Sequence, residues 1–446
     1  MSLDPAALRF GLGPRPGRAA ESSPQAMLAG LAAAVAAPSA ADAAARARLA
    51  ETAAGFREAR RALRAGEAEA EEMTDDRRAL RRAVAEVQLA RLARAATTTH
   101  GFAERLEAFW ANHFAVGLRA PAHAATAVLH AEDAIRPRLA GRFAAMAEAA
   151  ILHPAMLVYL DQTVSVGPDS PVGRRTGRGL NENLAREVLE LHTLGAGGPY
   201  GQADVEALAR LLTGFGLRDG VVAWRPRRAQ PGRVRLLGRD YDGASEPEAR
   251  RALADLARHP ATGARLARKL AVHFLADDPP ERIVRALAHA WAESDGELGF
   301  VAEVLLRAPE AEAPLGAKTR QPWELVTAAL RAAGAQPRDL APGARLPPRL
   351  TLGGMEELGQ PPLRPPGPDG WPEEAAAWIT PAGLAARLAW GARLGRRLER
   401  DLDPRDFAET ALGPALTPAT ARAIAAASER WEGYALLAAS PDFNRR

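Results

Sequence analysis

The sequence predicts a mainly α protein, a large multi-helix orthogonal assembly with one small β-hairpin near residues 217–243. Apolar residues recur at three- and four-residue spacings along most of the chain, Leu80, Val84, Val87, Leu89 and Leu92 among them, which is the signature of amphipathic helices. Only Leu217 to Gly243 replaces that period with short apolar pieces separated by Asp-Gly and Pro-Gly turns. At 446 residues and 47% hydrophobic content the chain has ample material for a core, and its regions are expected to form one compact unit.

The elements follow in order. Residues 1–96 form an N-terminal helical region rich in Ala, Arg, Glu and Leu, in which Thr74-Asp75-Asp76 reads as a cap separating a helix over about 40–72 from the next. Residues 97–216 form a helical core. It opens with a helix from Gly101 to Val116, is punctuated at Pro137 and Pro154, and passes through a Gly, Pro and Arg loop at 167–179. A polar helix over 181–195 stops at Gly195, Gly197 and Gly198, because glycine reaches positive φ without penalty, and a second helix starts near Gln202 and Asp204. The hairpin insertion spans 217–245, helices resume over 246–334, a proline-rich extended segment occupies 335–377, and helices near 380–400 and 417–439 lie in the last region, 378–446.

Composition excludes several functions. There is no cysteine, so disulfides and thiolate metal sites are ruled out. Of 58 basic residues all but Lys269 and Lys318 are arginine, and most alternate with Glu and Asp along helices, so no nucleic-acid partner is expected. No apolar run reaches the roughly 18 residues of a membrane span. Met27 to Ala37 imitates a signal core, yet it sits behind Glu21 and is mostly alanine, so an ordinary helix is expected and the compartment stays open between cytoplasm and export with a partner. The chain carries no phosphate-binding glycine loop, no Gly-x-Ser-x-Gly elbow, no dinucleotide fingerprint and no zinc-peptidase His pair.

The polar stretch Asn181 to Gly216 is where chemistry is expected. On a wheel of 100° per residue Asn183, Glu187 and Glu190 share a face with Leu194, while Leu184, Val188 and Leu191 form the adjoining apolar arc. Arg186 lies four residues from both Glu182 and Glu190. Such a set could hold a hard cation, act as an acid and base pair, or be a structural ion-pair lattice. His192 points almost opposite Asn183 and is expected to hydrogen-bond at the helix end. In the helix over 102–116, Phe102, Leu106, Phe109 and His113 share a face, which predicts a buried His113, with Asn112 about 100° round. The candidate catalytic residues are therefore Glu187, Glu190, His113 and Arg186, and the candidate substrate-binding residues Trp110, Asn112, Asn183 and His192, with no metal ligand and no cofactor assigned. Lys269 and His273, at i and i+4, form a possible anion contact or a solvated edge.

Several motifs in order carry a resemblance: RFGLGPRPG at 9–17, FWANHF at 109–114, NENLAREVLELHTLG with the following LLTGFG, HPATGARLARKL from 259 and LGQPPLRPPGPDGWP from 358. The chain resembles the bacterial domain-of-unknown-function 1800 family over nearly its whole length. The resemblance implies a large, mostly helical protein, often encoded beside an exported, sulfatase-like protein of the domain-of-unknown-function 1501 family. Family-like positions are Trp110, Asn112, His113, Glu182, Asn183, Arg186, Glu187, Glu190, His192, Thr193 and Gly195. Two sites depart from the pattern: Arg239-Asp240 stands where a His-Asp pair is usual, and Gly367-Pro368-Asp369 where Asn-x-Lys precedes Gly-Trp-Pro. Two functions remain, a helical binding or accessory protein with a sulfatase-like partner, which is preferred, and a metal-assisted hydrolase using Glu187 and Glu190 with His113 and Arg186.

Overall fold

The computed structural model describes residues 5–18, 20–36, 40–66, 72–341 and 343–446, and helices dominate it. Met27 and Leu31 of the Pro24–Ala36 helix pack into the main core, as an ordinary helix would; Ala37 lies outside the described residues. Helix Ala40–Ala65 folds back on helix Glu72–Thr97. The end of the expected 40–72 helix lies outside the described residues. The next helix starts at Glu72, so Asp75 falls in its first turn and Asp76 directly after it, near the positive end of the helix dipole, which acidic groups oppose.

The stretch expected to hold one hairpin holds two. Phe215–Arg218 pairs antiparallel with Val221–Trp224, and Arg233–Leu236 with Arg239–Asp242. A short turn at Pro226–Arg228, followed by Pro231-Gly232, interrupts the run and prevents a longer ladder. Each pair turns through two residues with positive φ: Asp219 and Gly220 in the first, Leu237 and Gly238 in the second. That geometry matches the right-handed twist of the strands.

The main core gathers Phe102, Phe109, Trp110, Phe143 and Trp291 with the helices around them. A second cluster joins helices Pro322–Ala332, Pro381–Leu398, Pro404–Leu412 and Arg430–Ala439, and includes Leu350, Met355 and Leu358 from the proline-rich stretch, where Leu352–Glu357 is helical. Glycine sets the approach of Pro381–Leu398 to Arg430–Ala439. A Cβ on Gly391 would stand 2.5 Å from the Ala438 Cβ and 2.8 Å from the Tyr434 carbonyl oxygen. Gly391→Val is therefore expected to destabilise the chain by about 2 kcal/mol, because overpacking against fixed backbone outweighs the few tenths regained in helix propensity. Urea denaturation checks this; an unchanged midpoint would show that the two helices can part.

Candidate functional site

Four motif segments meet in the fold: the end of helix Gly101–His113, the polar helix, helix Pro260–Phe274 and the loop at 367–373. The polar helix is α-helical only over Asn183–Glu187 and widens into a π turn over Val188–His192. Its i→i+5 geometry advances each residue by less than 100°, so the wheel loses register after Glu187. The wider turn leaves His192 fully buried at the helix end, with Thr193 Oγ1 donating to the Val188 carbonyl at 2.6 Å.

The two motif histidines clasp the two helix ends reciprocally. His113 Nε2–H donates to the His192 carbonyl at 3.2 Å, and His192 Nδ1–H donates to the His113 carbonyl at 3.1 Å. Lys269 Nζ then donates to the remaining nitrogen of His113, Nδ1, at 3.3 Å. Burial, and after it the Lys269 charge, hold His113 well below the ordinary imidazole value and His192 at about 3. Both rings are neutral at physiological pH. His192 Nε2 is buried with no hydrogen-bond partner. Trp110 is fully buried against His113, with ring centroids 5.5 Å apart, and packs there as part of the core.

The charged groups at this junction lie nearer the surface. Lys269 is half-buried, and burial followed by Arg265 brings its ammonium down to about 8. Glu187 is half-buried too; burial raises its carboxyl, and Glu190 and Asp369 raise it further. Asp369 is thus in electrostatic reach of both Glu187 and Lys269. Arg186 works on the outer face, donating to Glu182 and Gln202 at 3.0 Å each and standing 3.6 Å from Glu190. Asn183 is exposed, and its backbone N–H is held by Asn181 Oδ1 at 2.9 Å. Arg265 donates to the Leu191 carbonyl and lays its stem over Gly195, whose φ of +97° and lack of a Cβ permit that approach. Among the described contacts no hydrogen bond or ion pair links His113 to Glu187, Glu190 or Arg186. Among the described residues no three His, Asp or Glu side chains are grouped to hold a metal ion.

The loop at 367–373 closes the junction. The Asn112 amide donates to the Trp371 carbonyl at 2.9 Å and accepts the Trp371 N–H at 2.7 Å, imitating a backbone pair. Gly370, at φ +83°, must lack a Cβ because one would stand 2.4 Å from the Asn112 carbonyl oxygen. Beyond Trp371, Glu373 binds His273 Nδ1 at 2.9 Å. Against the Asn112–Trp371 pair lies a cavity of about 220 Å³, walled by Ala108 and Ala111 of the helix, Ala115 just beyond it, and Pro361, Pro362 and Trp371.

One end of that cavity reaches an ion-pair lattice that sequence reasoning missed. Arg94 contacts Glu104, Glu107 and Glu132 at 3.2, 3.1 and 2.8 Å, Arg136 contacts Glu104 at 2.9 Å and Arg91 contacts Glu107 at 2.9 Å. Burial pushes the Glu107 carboxyl up, but Arg94, Arg91 and Arg136 outweigh it and hold the group at about 2. A signal existed, since Glu104 and Glu107 interrupt an apolar helix at i and i+3, as Arg91 and Arg94 do on the helix before. The Lys269–His113 contact had no such signal, because helical spacing within one segment says nothing about which distant helix it meets.

A family model described as Protein of unknown function (DUF1800) matches residues 6–445, and no curated protein and no solved structure matches the chain. With that match running over nearly the whole length, this protein belongs to the DUF1800 family.

Proposed function

We propose that this chain is a binding or accessory protein whose recognition site is the polar site around the 181–195 helix, and that its partner is a sulfatase-like protein of the domain-of-unknown-function 1501 family. The supporting observation is how the motif histidines are used. A general base must place a free nitrogen within hydrogen-bond reach of the proton it takes. His113 has both ring nitrogens engaged and is 2% exposed, so it serves as a strut between helices. What remains accessible is Glu187, Lys269 and Asp369, a mixed set suited to reading a polar group that both donates and accepts. The 220 Å³ cavity beyond Trp371 is of a size to take one apolar side chain of the same partner as an anchor. The hydrolase alternative is less well supported, since Glu187 and Glu190 lack a third ligand among the described residues.

Titration calorimetry of the full chain against the purified sulfatase-like protein tests the proposal. Asp369→Lys and Glu187→Gln are each expected to weaken binding at least tenfold, about 1.4 kcal/mol, with an unchanged melting temperature. Absence of a complex at about 100 µM, or variants that bind as the parent does, would overturn it.

A further inference from the structure

Arginine is spread widely along this chain, yet two separate segments bring it together with little counter-charge, Arg233 alone among them having an ion-pair partner in the described residues, Asp240 at 3.7 Å. Residues 170–180 and 215–235 hold Arg174, Arg175, Arg178, Arg218, Arg225, Arg227, Arg228, Arg233 and Arg235 against a single acid, Asp219. The fold joins the two segments. The short helix Pro171–Thr176 packs on the Pro226–Arg228 turn, and the Arg225 and Arg228 side chains both lie against Gly216 of the first hairpin. Arg228 is lowered first by burial and then by the charges of Arg225 and Arg178, which places three guanidinium groups within electrostatic reach of one another. Asp169, the nearest acid before the first segment, is engaged by Gln230 Nε2 at 2.8 Å. Arg174, Arg175, Arg178 and Arg227 have no ion-pair partner among the described residues.

The same face carries exposed aliphatic groups. Val221 is 67% exposed and Val164 54%, the two most exposed large apolar side chains among the described residues. Val221 stands opposite Arg218 in the hairpin register. Arg228 donates to the Thr163 and Ser165 carbonyls, one on either side of Val164, at 2.8 Å each. Both valines therefore sit among the arginines.

We propose that this face, built from residues 163–178 and the 215–228 hairpin, docks on an anionic phospholipid surface. Guanidinium groups match phosphate oxygens in a forked geometry, and aliphatic tips between them fit the headgroup boundary of a bilayer. A single-stranded nucleic acid would want exposed aromatic rings to stack on. The two aromatic residues of the hairpin are instead packed edge-on against each other, Trp224 on the buried Phe215 at 5.0 Å, and Trp224 covers Gly214. Among the described residues no helix is long and apolar enough to cross a membrane.

Co-sedimentation of the full chain with vesicles decides the matter. Vesicles of phosphatidylcholine with about 30 mol% phosphatidylglycerol are expected to bind the protein, pure phosphatidylcholine vesicles are not, and about 0.5 M salt abolishes the binding. A triple variant, Arg174→Gln with Arg175→Gln and Arg178→Gln, should lower partitioning about a hundredfold, at roughly fivefold per residue. Val221→Asp should lower it about tenfold while leaving the salt dependence in place. All four positions are exposed, so melting temperatures should not move. Equal binding to both kinds of vesicle, no binding to the anionic ones, or tighter binding to a single-stranded oligonucleotide that Val221→Asp leaves unchanged would each overturn the proposal.

Discussion

Glu324→Gln is expected to destabilise the protein by about 3–5 kcal/mol, because it takes the ion-pair partner from two buried arginines. Glu324 lies in the first turn of helix Pro322–Ala332 and is 5% exposed. Its Oε1 stands 3.0 Å from Arg446 and 3.2 Å from Arg105, and its Oε2 accepts the Gln321 N–H at 3.2 Å. Burial pushes its carboxyl up, yet Arg446 and Arg105 hold it far below the usual carboxylate range. The need is mutual, since burial brings Arg105 down to about 9 even with its partner in place. Arg105 and Arg446 also both donate to the Arg9 carbonyl. The ion group thus ties the first described helix, the motif helix and residue 446 to one carboxylate. Glutamine keeps the shape and loses the charge, so the difference reports electrostatics with little cavity contribution. Glu303→Gln, which breaks only the exposed i,i+4 pair with Arg307, should change stability by less than about 0.5 kcal/mol. Urea denaturation of both variants separates the cases, and a loss at Glu324 no larger than at Glu303 would mean that water reaches the group.

How far the sequence could be read depended on the range of the interaction concerned. Periodicity acts within one helix, so the mainly helical fold, the Phe102, Leu106, Phe109, His113 stripe and the glycine stop at Gly195 were all legible. A wheel assumes one kind of helix, and it lost register at Val188, where the turn widens. His192 therefore turned out to be half of a clasp with His113, a pairing that spans 79 residues and leaves no trace in local spacing. Lys269 was legible as a cation beside His273, but its hydrogen bond to His113 depends on how distant helices cross. Asn112 looked like a substrate contact because it is polar and beside a histidine. Its amide makes one donor and one acceptor bond with the Trp371 backbone, and Gly370 with its positive φ was the one local hint of that approach. The arginine face escaped notice because its residues lie in a six-residue helix, turns and a hairpin, apart from the long helices on which charge alternation was judged.

Between pH 6.5 and pH 5 the protein is expected to lose several kcal/mol of stability, with buried histidines as the cause. His130 and His192 are held at about 3, in each case by burial first, then by the neighbouring charge of His153 for His130 and of Lys269 for His192. In the unfolded chain both return to about 6.5. Their stabilising contribution is therefore fully present above pH 6.5 and is lost as pH falls, since the unfolded state takes up protons that the folded state refuses. At about 1.4 kcal/mol per pH unit each, the two together account for about 4 kcal/mol by pH 5. His113, also lowered well below its ordinary value by burial, acts in the same direction. Glu107, held at about 2, and Glu324 also favour the folded state at neutral pH, but their contribution is lost only below about pH 4.5, where unfolded carboxyls begin to protonate. The two groups consequently separate along the pH axis. His130→Gln keeps a donor for the Ala150 carbonyl that His130 Nε2 now serves at 3.1 Å. That variant should be less stable at pH 7.5, yet lose about 2 kcal/mol less than the parent between pH 7 and pH 5. Urea midpoints that stay flat over this window in the parent protein would show that these rings accept protons in the folded state, in His192 at the unpartnered Nε2.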